Sequence, residues 1–346
     1  MNTKIYKIDR KNIDKASMEQ LGSIIKKGGL VAFPTETVYG LGANAFDDEA
    51  VKSIYVAKGR PSDNPLIVHF AGVEEIKKSV GEFTKQAELL LSAFSPGPLT
   101  VILKKSDMIS KTVTAGLDTV AVRIPSDEIA RELIKSAGVP IAAPSANLSG
   151  KPSPTVAKHV IDDMNGRVDA IIDGGDCTVG VESTVIDLSG EIPVILRPGG
   201  ITYSDIKEFL PDVIIDKHIL RSVSEKDKPK CPGMKYKHYA PDADVTVVEG
   251  ENKKVREKIN ELLAENKEYR TGVITVTDNK YDADMVVCAG RDNKEYAKNL
   301  FRVLREFDEN KIDIVFAEFS NDDGYGLAVK NRLYKSAGNK VILVDN

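Results

Sequence analysis

The segment KGRPSDNPLIVH, residues 58–69, sets Lys58 and Arg60 ahead of two prolines, with Asn64 and His69 flanking the apolar run that follows. Two cations on a rigid loop suit phosphate oxygens, lysine as a point charge and arginine as a two-pronged donor. A solvated charged turn has no need of Pro61 and Pro65 to pin it. His69 carries less weight, since a lone histidine among apolar strand residues more often satisfies the core than performs catalysis. The earlier segment PTETVYGLG, residues 34–42, offers Thr35, Glu36, Thr37 and Tyr39 before Gly40 and Gly42. Glycines there let backbone N–H groups approach a ligand, although a tight turn into a helix uses the same residues.

Further along, TVAVRIP places Arg123 among apolar residues. An arginine projecting from a central strand needs an anionic partner, because unpaired burial of charge is costly. That partner is either a protein carboxylate or a carboxylate or phosphate on a ligand. The segment SANLSGKPSPT supplies Ser145, Asn147, Ser149, Lys151 and Ser153, a loop composition that lines polar ligands and also makes ordinary turns. VESTVIDLSG adds Ser183 and Thr184, and ILRPGGIT adds Arg197 at a strand end before Pro and Gly. Cations and hydroxyls thus gather at strand ends, the usual ligand side of an open α/β sheet. The chemistry they favour is anion positioning and charge stabilisation, as in phosphoryl or nucleotidyl transfer. The sequence shows neither a nucleophile with a partnered base nor a carboxylate group suited to a protein-held metal. G-x-x-x-x-G-K-[ST], G-x-G-x-x-G, H-E-x-x-H and G-x-S-x-G patterns are all missing, and GYGLAV at Gly324 reads better as a helix start than as a dinucleotide site.

The elements that must hold these residues follow from periodicity. Strands are predicted at 29–33, 65–70, 99–104, 120–124, 139–143, 170–173, 184–188 and 194–196, and helices at 17–27, 47–57, 84–94 and 126–137, the last capped by Ser126. Beyond Asp244, strands and helices alternate: VTVVE, a helix over 251–266, GVITVT, MVVCA, a helix over 293–310, IDIVFAEF, a helix over 325–337 and KVILVD. That alternation predicts a small, parallel, Rossmann-like sheet with right-handed crossovers. The expected fold is therefore α/β: a twisted open sheet with flanking helices, then a smaller parallel α/β domain. Between them, residues 217–240 hold seven Lys/Arg against two acids, with Pro229, Pro232 and Gly233. By composition this is an extended basic connection.

Composition sets the outer bounds. A chain of 346 residues, 42% hydrophobic, fits two domains with packed cores. A formal net charge of -4 with both signs interspersed argues against a general nucleic-acid binder. The start of the chain has no apolar signal-like core, and no apolar run approaches the roughly 18 residues of a membrane span. A cytoplasmic protein is expected. Cys177, Cys231 and Cys288 are odd in number and widely spaced, so neither a disulfide framework nor a zinc site is expected.

Taken in order, PTETVYGLG, KGRPSDNPLIVH, SANLSGKPSPT, ESTVIDL and LRPGG resemble the YrdC/Sua5 family, the threonylcarbamoyl-AMP synthases. The part after PGMKYKHYAP resembles the longer Sua5 form. The resemblance implies a YrdC-like catalytic domain over 1–212, a basic linker or lid over 213–241 and a C-terminal Sua5 domain over 242–346. It implies that L-threonine and bicarbonate or CO2 form N-carboxythreonine, whose carboxylate attacks the α-phosphate of ATP to give L-threonylcarbamoyl-AMP and pyrophosphate, for t6A modification at tRNA position 37. Carried over residue by residue, the threonine site is Thr37, His69, Arg123, Ala143 and Ser183. The ATP site is Lys58, Arg60, Asn64, Thr119, Ser145, Ser153, Arg197 and a linker tyrosine, Tyr236 ahead of Tyr239. Lys58, Arg60 and Arg123 are the residues expected to carry catalysis. Mg2+ is expected to arrive on ATP through phosphates and water, with no protein metal site.

Two rival readings fit the sequence less well. A hydrogenase-maturation carbamoyltransferase contains a similar domain but also zinc-finger modules, and no C-x-x-C occurs here. An RNA-binding or ribosome-assembly factor would use a cationic groove with stacking aromatics, yet the chain is 6% aromatic and has no Trp. The expected partners are small substrates and downstream threonylcarbamoyl-transfer proteins, without stable nucleic-acid or membrane binding. The composition of the C-terminal domain assigns it no role.

Overall fold

The computed structural model describes residues 2–219 and 238–344, which divide into two compact units. The first holds 2–149, 153–178 and 182–219, and the second holds 150–152, 179–181 and 238–344. Most of the stretch read as a linker or lid, Tyr236 included, lies outside the described residues.

The first unit begins with β1 (Lys4–Lys7), α1 (Lys15–Lys26), β2 (Val31–Phe33), β3 (Gly40–Asn44), α2 (Asp48–Lys58) and β4 (Ile67–His69). It continues through α3 (Val73–Ser79), α4 (Lys85–Phe94), β5 (Leu99–Lys104), β6 (Thr119–Arg123), α5 (Glu128–Ala137) and β7 (Ile141–Ala142). It closes with α6 (Ala157–Met164), β8 (Ala170–Asp173), β9 (Thr184–Asp187), β10 (Val194–Arg197), α7 (Tyr203–Phe209) and β11 (Ile214–Ile215). The strands form one mixed sheet in the order β1-β8-β2-β3-β7-β4-β6-β5-β9-β10-β11. β11 carries that sheet into the 213–241 stretch that the family resemblance implies as linker or lid.

All eight predicted strands of this unit are present, with ends trimmed or extended by one or two residues in most cases. β1, β3 and β11 add to them. β3 is hidden because GLGAN has poor strand propensity. Tertiary packing overrides it: a Cβ at Gly42 would come within 2.7 Å of Ile141 and 2.8 Å of Phe33, so only glycine lets the chain pass between β2 and β7. The cap of α5 also differs from expectation. Asp127, not Ser126, accepts hydrogen bonds from the N–H groups of Ile129 and Ala130, since a carboxylate one residue later reaches the first-turn donors. One core layer joins α1 and α5 to the sheet through Leu21, Ile25, Phe33, Leu133, Ile134 and Ile172. A second, around Ile67, Ile102, Ala121, Val185 and Leu196, backs the middle strands.

The second unit contains β12 (Asp244–Glu249), α8 (Asn252–Glu265), β13 (Thr271–Thr275), β14 (Met285–Cys288), α9 (Asn293–Glu309), β15 (Ile314–Phe319), α10 (Gly326–Ser336) and β16 (Val341–Leu343). The order is β14-β13-β15-β12-β16, and the four neighbouring pairs are parallel, as the βαβ alternation predicts. The glycines of GYGLAV open α10, so they start a helix. At the C-terminal ends of β13 and β15, the buried Glu318 carboxylate accepts from Thr275, Thr277, Asn279, Tyr281 and the Val276 N–H. A buried carboxylate so fully satisfied fixes the 275–281 loop. Among the described residues no helix is long and apolar enough to cross a membrane.

Candidate active site

The register of the large sheet brings distant residues level. His69 on β4 pairs with Arg123 on β6, Arg123 with Thr100 on β5, Thr100 with Val185 on β9, and Val185 with Arg197 on β10. Directly paired residues share a face, so this row aligns side chains from five strands. Ser183, just before β9, joins it: its hydroxyl lies 2.7 Å from Thr100 Oγ1 and accepts from Arg197 Nη2 at 3.1 Å, while Arg197 Nε donates to the Ser183 carbonyl at 3.1 Å. The loop after β10 packs against the same backbone. A Cβ at Gly199 would lie 2.4 Å from the Glu182 carbonyl and the Thr184 nitrogen, so the glycine permits that approach.

Arg123 is buried, and its Nη2 stands 2.8 Å from Oε1 of the equally buried Glu36. The protein partner sought for this arginine is therefore Glu36, carried by the loop between β2 and β3. Arg123 Nε also donates to the Gly97 carbonyl at 3.4 Å. In the same loop the hydroxyls of Thr35 and Thr37 meet at 2.8 Å, and Thr35 Oγ1 donates to the Val38 carbonyl at 2.6 Å, which locks the turn. His69 is buried edge-on to Phe33, with Nδ1 3.3 Å from the Ile67 carbonyl. Burial first, and the Arg123 charge second, push its imidazole down to about 3. His69 is thus neutral at physiological pH and serves as a hydrogen-bonding group, not as a charged acid.

A second set of residues gathers at the opposite end of the middle strands. The parallel register of β4 and β6 places the segment leading into β4, with Asn64, at the same end as Thr119. β7 runs antiparallel to β4, so the chain beyond it carries Ala143 and Ser145 away from His69 and toward that end. Ala143 donates its N–H to the Ile67 carbonyl at 2.9 Å. Asn64 is 1% exposed, yet neither atom of its carboxamide has a hydrogen-bond partner among the described residues. A buried amide in that state is costly unless a further polar group meets it. Ser145 donates to Asn147 Oδ1 at 2.5 Å, and Ser153 donates to Glu182 Oε1 at 2.5 Å. Arg60 follows the end of α2, with its backbone N–H held by the Tyr55 carbonyl at 2.9 Å.

Lys58 is 2% exposed, and its ammonium donates to the carbonyls of Ser145 and Asn147, with Asn147 Oδ1 at 3.5 Å. Lys58 thereby positions residues 145–147, a role its motif does not announce. Arg197, expected at the nucleotide, holds Ser183. Two residues not singled out from sequence take part, Thr100 and Glu182, beside Glu36 and Asn147, which their loops offered without a stated role. A polar residue inside the apolar run LTVILK was the available signal for Thr100. The pairings of Glu36 and Glu182 depend on contacts across the fold and left no local trace. Among the described residues no group of three His, Cys, Asp or Glu side chains could hold a metal ion.

Comparison with known proteins bears on the whole chain. A family model for Sua5, YciO and YrdC, described as telomere recombination, matches residues 23–199. A second, described as threonylcarbamoyl-AMP synthase, C-terminal domain, matches residues 201–338. The chain is 50% identical over 336 residues to a threonylcarbamoyl-AMP synthase of Pyrococcus abyssi, covering 97% of this chain and 98% of that protein. It is 47% identical over 339 residues to one from Bacillus subtilis, covering 96% of each. A crystal structure of P. abyssi Sua5 complexed with L-threonine matches with a TM-score of 0.95 at 49% identity, covering 99% of this chain and 100% of that one.

Proposed function

The chain belongs to the threonylcarbamoyl-AMP synthase family, in its long Sua5 form, and from that premise we propose how its residues divide the work. The reaction joins L-threonine, bicarbonate or CO2, and ATP into L-threonylcarbamoyl-AMP with release of pyrophosphate. The threonine nitrogen is first carboxylated. A carboxylate oxygen of N-carboxythreonine then attacks the α-phosphorus, and the bond from that phosphorus to the pyrophosphate oxygen breaks. The substrate supplies its own nucleophile, so the protein's task is alignment and charge neutralisation.

Arg123 pairs the α-carboxylate of threonine, with neutral His69 and the Ser183 hydroxyl offering directional hydrogen bonds beside it and Thr37 and Ala143 shaping the wall. Arg60, Asn64, Thr119 and Ser145 receive the nucleotide, and Lys58 holds the loop that presents Ser145. Ser153 and Arg197 sit one step behind, through Glu182 and Ser183. The single observation that carries the reading is Arg123, a buried guanidinium in a register row that sets it beside His69, Thr100 and Arg197, polar side chains drawn from four strands. For the metal, the nucleotide end offers a guanidinium, an amide and hydroxyls, a donor set for phosphate oxygens. Mg2+ would therefore come with the triphosphate rather than with a protein cage, and when bound there would supply charge neutralisation for the leaving pyrophosphate. The product serves t6A formation in tRNA, handed to downstream threonylcarbamoyl-transfer proteins.

The test is pyrophosphate release from ATP, with L-threonine and bicarbonate omitted in turn. Release should need both, and release that persists unchanged without threonine overturns the reading. Calorimetry on Arg123→Ala should show threonine affinity falling about tenfold or more, as loss of a charge-assisted pair predicts, with ATP affinity nearly unchanged. Equal loss for both ligands would remove the role given to Arg123.

A further inference from the structure

Glu36 stands out once the threonine row is in place. Its carboxylate is buried, 2.8 Å from Arg123 Nη2, yet neither oxygen is in hydrogen-bond geometry with any described residue, and Arg123 Nη2 is not either. The two charges are close but their N–H and lone-pair directions are not aligned. The neighbouring hydroxyls cannot help, because Thr35 and Thr37 bond each other and the Val38 carbonyl. Asp127 and the buried Cys177, which sense its charge, are acids, and the nearby Arg10 is paired with Asp127 at 2.9 Å. A buried carboxylate that accepts no hydrogen bond is expensive, and a neutral residue of similar size would avoid the cost.

Donors that come with the substrate remove that cost. An α-amino acid is a zwitterion whose carboxylate and ammonium are separated by a single carbon, and the protein presents a guanidinium and a carboxylate at comparable spacing. The ammonium carries three N–H donors, the complement of an acceptor that has none. Resting on the threonine reading above, we propose that Glu36 is a specificity-determining residue that accepts the α-amino group of the substrate, so that Arg123 and Glu36 together read the zwitterion. After N-carboxylation the nitrogen keeps one N–H, and Glu36 keeps one donor through the adenylation step. The pair also explains why the arginine is preserved as a charge before substrate arrives: Glu36 compensates it in the interim.

The experiment is calorimetric titration of the full chain, as wild type, Glu36→Gln and Glu36→Asp, with L-threonine, with 2,3-dihydroxybutanoate and with ATP. The dihydroxy acid keeps the carboxylate and the side chain and replaces the amino group by hydroxyl. Wild type should prefer L-threonine strongly. Glu36→Gln should lose about tenfold or more of its threonine affinity, the scale of a charge-assisted hydrogen bond, while the dihydroxy acid and ATP bind within about twofold of wild type. Glu36→Asp, which keeps the charge on a shorter stem, should recover part of the preference. A Glu36→Gln variant that keeps the wild-type ratio of threonine to dihydroxy acid overturns the proposal, as does equal loss of both acids, which would mean that Glu36 only props Arg123. Should Glu36→Gln fail to fold, the Glu36→Asp ratio decides alone: an unchanged preference counts against the proposal and a reduced one for it. If the wild-type chain binds no threonine at all, the reading of the pocket fails, and this proposal fails with it.

Discussion

His69 sits at the end of β4 between the ring of Phe33 and the guanidinium of Arg123, and its burial has a consequence for stability. The folded chain holds the imidazole near 3 against the ordinary 6.5, so the unfolded chain binds the extra proton in between. Its contribution is fully present above pH 6.5 and is lost as pH falls toward 3, at up to about 1.4 kcal/mol per pH unit. Urea midpoints measured from pH 7 to pH 5 should therefore decline for wild type, and the decline should be shallower in His69→Gln. A parallel decline in both chains would show that other groups set the acid sensitivity. At this scale much was legible in the sequence. The polar residues of the motifs stand where ligand-binding groups are needed, because strand ends are fixed by apolar runs that can be counted. What could not be read was which of them a ligand would meet first. Lys58, which KGRP offers as a phosphate contact, also donates to the 145–147 loop, nearly ninety residues away, and no local pattern shows that contact.

At the level of elements, α5 shows how one residue serves two neighbours. Asp127 caps the helix through Ile129 and Ala130 and also receives Arg10 Nε at 2.9 Å, tying the loop after β1 to the helix start. Asp127→Ala should cost about 1–3 kcal/mol, the sum of a lost cap and a stranded guanidinium, whereas Asp127→Asn should keep most of the cap and lose less. Urea unfolding of the two variants separates them, and equal losses would assign the whole effect to the ion pair. The parallel strands and long helices of the second unit were foreseeable because each carries its own period. β3 was not, since its two glycines serve the strands on either side rather than its own propensity. β1 and β11, at the two edges of the sheet, have burial patterns too exposed to leave an apolar signature.

For the whole molecule, ligands that bind only the folded chain must stabilise it by mass action. ATP or threonine at a hundred times its dissociation constant adds about 2.7 kcal/mol. In a unit of about 200 residues that raises the melting temperature by roughly 5–10 °C. Scanning calorimetry should show the threonine shift fall to about half or less in Arg123→Ala while the ATP shift survives, and loss of both shifts would mean a damaged fold. The row from His69 to Arg197 has one more implication, for the chain while it is being made. Its members lie on five strands spread over 128 residues of sequence, and β1, at the start, pairs with β8 at residues 170–173. The threonine row is incomplete until β10 has left the ribosome. At about 5–20 residues per second, that is roughly ten to forty seconds after β1 is made. A nascent protein released before β10 therefore lacks Arg197 and the hold it places on Ser183, and its threonine row stays unfinished.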